Sequence, residues 1–393
     1  MKYVILLQFV FGLSSCASAR KPDQAREPAQ DRGYRVVTSN VDQSYTVRLP
    51  ARVVKSRISL EEGVVWIELA RWQNRDTIDP QRVKAAAVRH LFALRPRPVP
   101  PTKHDRLYLQ ASPHHLENTA LVRRILHIEQ ARFVTLVHDV IPLTHPEFAR
   151  PNGAAEHARR LATVAELADG VIGNSTSTIE ALIPHLSERE GRVVKLALLG
   201  CESSDDPPVG RTSPYDVPYF VCIATIEPRK NHLLLLNVWR RLVERFGAAA
   251  PKLILVGRRG WENENVIDIL ERCTVLGDHV VEESDMSDRS LDTLLAGARA
   301  LLLPSFAEGY GMPVAEALAA SVPVIASDLA ALREVGGDVP DYLDPIDGLG
   351  WYNAIVEYAC DESPARQAQL DRLLKWSPTR WGEHMDIVLG VLD

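Results

Sequence analysis

The chain has 393 residues, 46% of them hydrophobic and 24% charged, with a net charge of −6. That is a globular composition of roughly two or more domains, and it excludes the global basic field that recruits nucleic acid. The five cysteines (Cys16, Cys201, Cys222, Cys273 and Cys360) are odd in number and have no CxxC spacing. That pattern argues against a disulfide framework or zinc site and points to a reducing compartment.

The first segment, "MKYVILLQFVFGLSSCASARK", carries an apolar run from Tyr3 to Leu13 followed by small residues. Two readings are open. It has the outline of a secretory signal, with Leu13-Ser-Ser-Cys16 resembling a lipoprotein cleavage site. It equally suits the buried first strand of an α/β domain. Residues 58–72 read as a strand and 96–105 as a proline-rich loop. Apolar runs at 132–140, 169–175, 219–225, 252–257, 298–305 and 322–328 then predict strands buried on both faces. Amphipathic patterns at 232–246 and 288–297 predict helices between them. Strand and helix in alternation give parallel sheets with crossover helices.

"CESSDDPPVGRTSPYDVP", residues 201–218, has no apolar period and reads as a linker. The predicted organisation is an N-terminal Rossmann-like domain over 1–200, with 1–60 divergent, and a C-terminal domain over 219–375. A terminal helix within 376–393 is expected to pack back on the first domain. Two doubly wound domains face a cleft, and each favours ligands at its strands' carboxyl ends.

"PSFAEGYGMPVAEALAASVPVIASD" (304–328) carries the chemistry. A strand ends at Pro304, a loop bears Glu308, Gly309, Tyr310 and Gly311, and Pro313 fits the first turn of a helix. Free N–H groups at a helix start, with no side chains on the glycines, suit a phosphate. Glu308 in the loop and Glu316, placed by this pattern in the first turn, accept hydrogen bonds from paired hydroxyls. A diphosphate between two polyhydroxylated ends uses all three parts, and that ligand is a nucleotide-sugar. No Asp-x-Asp pair is present to hold a divalent ion, and His and Cys lack zinc spacing.

The same stretch resembles the glutamate-x7-glutamate motif of retaining GT-B glycosyltransferases of family four. "IATIEPRKNH" (223–232), "VHDVIPLTHPEF", "DGVIGNSTST" and "SDLAALREVGGDVPDYLDPIDGLGW" (327–351) resemble further segments of its mannosyltransferase-like branch. The resemblance covers residues 105–351 well and the remaining tail loosely. It implies that Glu308 contacts sugar hydroxyls, that Glu316 contacts the ribose, and that Gly309, Tyr310, Gly311 and Met312 offer backbone to the diphosphate or sugar. It implies that Arg229 and Lys230 meet the leaving diphosphate, that Thr225 stands where many relatives carry an arginine, and that His138-Asp139 lies at the cleft floor near the donor sugar. Gly257, in "VGRRGW", is expected to let the ligand approach; Arg258 and Trp261 are left unassigned. His145 lines the acceptor side or caps a turn, and Ser177-x-x-Glu180 reads as a helix capping box.

The implied function is metal-independent transfer of a hexose, mannose or similar, from a nucleoside-diphosphate sugar to a polysaccharide or lipid-linked saccharide. No cofactor is implied, because the nucleotide-sugar is a substrate. The implied location is cytoplasmic, with peripheral contact at the inner membrane. Residues 1–60 lack the family's Gly-rich loop, with Gly12 and Gly33 the only glycines near. The alternative is therefore a catalytically impaired GT-B protein that binds nucleotide-sugars. A nucleotide-sugar epimerase of similar architecture stands further off.

Overall fold

The computed structural model describes residues 3–7, 35–36, 105–201 and 214–391. The 58–72 strand, most of the 96–105 loop, the missing Gly-rich loop and linker residues 202–213 lie outside the described residues. So does the apolar run beyond Leu7.

The described strands form two six-stranded sheets, and every pairing is parallel. In the first, β1 (Tyr3–Leu7) lies between β2 (Arg35–Val36) and β3 (Asp105–Gln110), followed by β4 (Ala131–Val137), β5 (Gly170–Gly173) and β6 (Val193–Leu196). Its crossovers include α1 (Thr119–Glu129), the short α2 (Ile141–Thr144), α3 (Gly153–Leu167) and α4 (Thr176–Leu182). Helix α4 starts one residue after Ser175, whose side chain accepts the Thr178 N–H. The cap is therefore Ser175 rather than Ser177, because Ser177 already lies inside the helix.

The second sheet runs β12-β11-β10-β7-β8-β9. Its strands are β7 (Tyr219–Ile223), β8 (Lys252–Val256), β9 (Val280–Glu283), β10 (Leu301–Leu303), β11 (Val324–Ser327) and β12 (Asp341–Leu343). Between them run α5 (His232–Phe246), α6 (Glu264–Arg272), α7 (Asp288–Gly297), α8 (Met312–Ala319) and α9 (Ala330–Gly336). Helix α5 buries Leu235, Leu236, Val238, Trp239 and Leu242, the stripe that a 3.6-residue period places on one face. Helix α7 is capped by Ser287, which accepts the Ser290 N–H.

Counted from β7, this is the Rossmann order, with the chain reversing direction across the sheet between β7 and β10. Leu301 of β10 is in register with Val221 of β7. A crevice therefore opens beyond the carboxyl ends of these two strands. The loop after β7 carries Thr225 to Lys230, and the loop after β10 carries Ser305 to Gly311.

After α10 (Gly348–Ala359) and α11 (Pro364–Leu373), the last helix, α12 (Trp381–Leu389), crosses to the first domain. Val388 and Val391 share a core with Leu107, Leu109, Val134, Leu136 and Ile172. His384 Nδ1 lies 3.0 Å from the Leu198 carbonyl. Among the described residues no helix is long and apolar enough to cross a membrane.

Candidate active site

Glu308 sits at the centre of the crevice, its side chain 7% exposed. One carboxylate oxygen accepts from Lys230 Nζ at 2.6 Å and from Ser305 Oγ at 2.6 Å; the other accepts from Arg229 at 3.0 Å. Burial alone would raise its pKa. Lys230 and then Arg229, with hydrogen bonds from Lys230 and Ser305, overcome burial and hold it down at about 2.

Arg229 is held on several sides. It donates to Glu227 at 2.8 Å, to Glu308, and to the Ala307 carbonyl at 2.7 Å, while its own carbonyl accepts the Phe306 N–H. Two carboxylates, Glu227 and Glu308, thus balance two cations, Arg229 and Lys230. Arg229 acts first as the brace of the 305–308 loop. Lys230 has Glu308 as its ion-pair partner among the described residues, and its side chain is 12% exposed. Of the two cations, Lys230 is the one with charge to turn toward a ligand. Asn231, in the left-handed region at φ 56°, ties the same loops by donating to the Pro304 and Pro345 carbonyls.

Gly311 precedes α8 with φ 106°, and Pro313 occupies the first turn. Met312 packs partly against the core, and Tyr310 is buried there with its hydroxyl donating to the Leu199 carbonyl at 2.7 Å. Tyr310 therefore turns its side chain into the core and leaves its backbone at the loop. Glu316 lies in the second turn of α8, not the first, because the helix begins at Met312. Burial, then the carboxylates of Asp292 and Asp288 on α7, push its pKa up to about 7. A carboxyl with a folded pKa above its ordinary value of 4.5 costs stability once it ionises. The cost is present above about pH 7 and vanishes as pH falls towards 4.5. Glu316→Gln should therefore raise stability at pH 8, on the order of 1–2 kcal/mol, and change it little at pH 5. Calorimetric melts at the two pH values check this; an equal effect at both contradicts it.

Several expected residues take other positions. Gly257 owes its identity to the chain itself, since an added Cβ would stand 1.9 Å from the Ala224 carbonyl oxygen. The expected ligand approach is not what requires glycine there. Thr225 is exposed beside Gly257 and Gly260. His138 turns its ring to the Ala111 carbonyl, 2.7 Å away, rather than to the reacting loop. It is the His138 main chain that meets that loop: a Cβ on Gly309 would lie 2.2 Å from the His138 carbonyl oxygen. Asp139 accepts the Ile141 N–H at 3.1 Å.

A cavity of about 290 Å³ lies between the domains, lined by Asp139, Thr144, His145, Ser177 and Thr178 on one side and Phe306, Glu308 and Gly309 on the other. Phe148 stacks on Phe306 across the gap at 5.5 Å, and Trp261 Nε1 donates to the Phe148 carbonyl. Thr176 donates from its N–H and hydroxyl to Glu334. Sequence reasoning missed Glu227, Ser305, Ser175 and Glu334. All four lie inside the quoted segments, but no spacing singles them out, and their roles come from contacts formed by folding. Among the described residues no group of three or more His, Cys, Asp or Glu could hold a metal ion.

Residues 217–359 match the family model described as "Glycosyl transferases group 1". The chain is 32% identical over 227 residues to O-antigen chain mannosyltransferase B of Escherichia coli, covering 55% of this chain and 58% of that protein. It thus spans little more than half that relative's length. In fold it is similar to the α,α-trehalose-phosphate synthase (UDP-forming) of Burkholderia xenovorans, with a TM-score of 0.55 at 13% identity, over 76% of this chain and 75% of that one. It is likewise similar to HepE of Anabaena in complex with UDP and glucose, with a TM-score of 0.54 at 16% identity, over 73% and 77%. With its two parallel sheets, the chain has the GT-B fold, and its segment 217–359 is similar to the glycosyl transferases group 1 family.

Proposed function

We propose that the chain is a retaining glycosyltransferase that moves a hexose, mannose in the first instance, from a nucleoside-diphosphate sugar to a growing O-antigen-type saccharide, free or lipid-linked. The observation that carries this reading is the joining of Lys230, Arg229 and Glu308 at the β7/β10 switch point, beside the start of α8. Transfer breaks the bond between the sugar's anomeric carbon and a diphosphate oxygen. The electron pair leaves with the diphosphate, the acceptor's hydroxyl oxygen bonds to the carbon, and its proton passes to the departing group. Negative charge grows on the diphosphate, where Lys230 and the N–H groups leading into α8 stand ready to meet it without a metal. Glu308 faces the cavity from the other side of the same cations, as a group that accepts sugar hydroxyls would. The mannosyltransferase relative supports the choice of sugar, and the UDP and glucose held by HepE support a nucleotide-sugar donor. Such donors are cytosolic, which favours the cytoplasmic side of the membrane.

The test is a thermal-shift screen of nucleoside-diphosphate sugars on the full chain, repeated with Glu316→Gln. A nucleoside-diphosphate mannose should stabilise the wild type. The substitution should weaken nucleotide affinity by on the order of 1.5–3 kcal/mol if Glu316 holds the ribose. Unchanged affinity for the bare nucleoside diphosphate removes Glu316 from that role, and no response to any nucleotide-sugar removes the donor site itself.

A further inference from the structure

One of the contacts between the two domains falls on a peptide bond in the reacting loop. The Gly309 carbonyl accepts from the Ser175 hydroxyl at 2.6 Å and from the Thr178 hydroxyl at 3.2 Å. Both hydroxyl residues belong to the first domain and are buried, 0% and 3% exposed. On its Cα side Gly309 is pressed against the His138 carbonyl and Asp139, so closely that no side chain fits. The peptide between Gly309 and Tyr310 is thus held sterically by one loop of the first domain and by two hydrogen bonds from another.

That grip has a directional consequence. In a trans peptide the C=O and the following N–H point in opposite directions. A carbonyl aimed at Ser175 and Thr178 turns the Tyr310 N–H away from the first domain. Among the described residues, neither this N–H nor that of Gly311 donates a main-chain hydrogen bond. Both lie on the approach to α8, where the diphosphate or sugar is expected. A freely rotating 309–310 peptide could present its carbonyl to the ligand instead and repel a phosphate.

We propose that Ser175 and Thr178 are positioning residues for the transfer reaction. By holding the Gly309 carbonyl, they aim the Tyr310 amide at the donor. The proposal rests on the donor reading above. It adds that the second domain's donor site is complete only when the first domain supplies these hydroxyls, so turnover depends on them more than nucleotide binding does.

Ser175 has a second duty, because its oxygen also caps α4 by accepting the Thr178 N–H. Two variants separate the duties. Thr178→Val keeps shape and cap and removes one hydroxyl. Ser175→Asp keeps a cap acceptor but has no proton to donate to the Gly309 carbonyl. Steady-state transfer from a nucleoside-diphosphate mannose, affinity for the bare nucleoside diphosphate and melting temperature are measured for each. Both variants should lose about tenfold or more in kcat, the scale of a misplaced reacting group, while nucleoside diphosphate affinity stays within about twofold of wild type. Thr178→Val carries the test alone if Ser175→Asp does not fold. Wild-type kcat in Thr178→Val and in any folded Ser175→Asp overturns the proposal and leaves the hydroxyls as cap and domain contact. Loss of nucleoside diphosphate affinity in step with kcat overturns it as well, as a general structural effect. A wild-type chain that binds no nucleotide-sugar fails at the earlier step and removes the donor reading together with the proposal.

Discussion

Lys230→Ala should lower kcat for donor turnover by about a hundredfold or more, the scale seen when one preorganised electrostatic donor is removed. Lys230 faces the crevice with one ion-pair partner among the described residues, Glu308. Its charge is therefore the one available to the diphosphate in the proposed reaction. Arg229 keeps Glu308 paired after the substitution, but the buried Lys230–Glu308 pair is broken, so the variant should also melt lower and kcat is compared at a temperature where it is folded. The interaction strengthens as the leaving oxygen gains charge and so belongs to the transition state more than to the bound donor. Arg229→Ala should behave differently, because Arg229 braces Glu227, Glu308 and the Ala307 carbonyl. Initial-rate measurements on the two variants, beside their melts, separate a catalytic cation from a structural one. A fall in KM performance alone for Lys230→Ala would place it in ground-state binding.

Glu308→Ala should both destabilise the chain and damage donor use. Removing the carboxylate leaves Arg229 and Lys230 crowded with Glu227 as the remaining balancing carboxylate, and breaking a buried ion pair from one side costs on the order of 3 kcal/mol. The pH dependence has a definite sign. The folded pKa, about 2, lies below the ordinary value of 4.5. The stability Glu308 contributes is therefore present above about pH 4.5 and lost as pH falls towards 2. Glu308→Gln should flatten that acid limb in calorimetric melts. On the functional side, affinity for the nucleoside diphosphate should survive in Glu308→Gln while turnover of the intact donor falls. Equal weakening of both ligands would move Glu308 to the nucleotide end and exchange its role with that of Glu316.

The second domain was largely legible before folding. Its four central strands, β7, β8, β10 and β11, are largely buried apolar runs, and helices 232–246 and 288–297 fall at the predicted bounds because their apolar period and stops are unambiguous. The short exposed-edge strands β6, β9 and β12 were not read, since half-buried strands of three or four residues carry too little alternation to register. Strand 298–305 contracts to Leu301–Leu303 because Pro304 cannot donate to the ladder. At the site, Glu308 and Glu316 stand in a recognisable spacing, and the structure adds the pairing of Glu308 with Lys230. What the sequence could not carry is which partner each group takes. Arg229 looks like a second free cation until Glu227 is seen beside it. Gly309 and Gly257 look like ligand-facing glycines until the carbonyls of His138 and Ala224 are found against them. The Ser175 and Thr178 hydroxyls are over 130 residues from Gly309, and no local pattern links them.

The most direct measurement is transfer itself. The purified full chain is incubated in chelator with a nucleoside-diphosphate mannose and a manno-oligosaccharide acceptor, and product is followed by anomeric proton resonance. The expected result is release of nucleoside diphosphate matched by an acceptor lengthened through a linkage of the donor's own anomeric configuration, abolished in Lys230→Ala. Donor that remains unbound and unconsumed across a panel of nucleotides and sugars, or turnover that survives intact in Lys230→Ala, contradicts a donor site at the β7/β10 crevice.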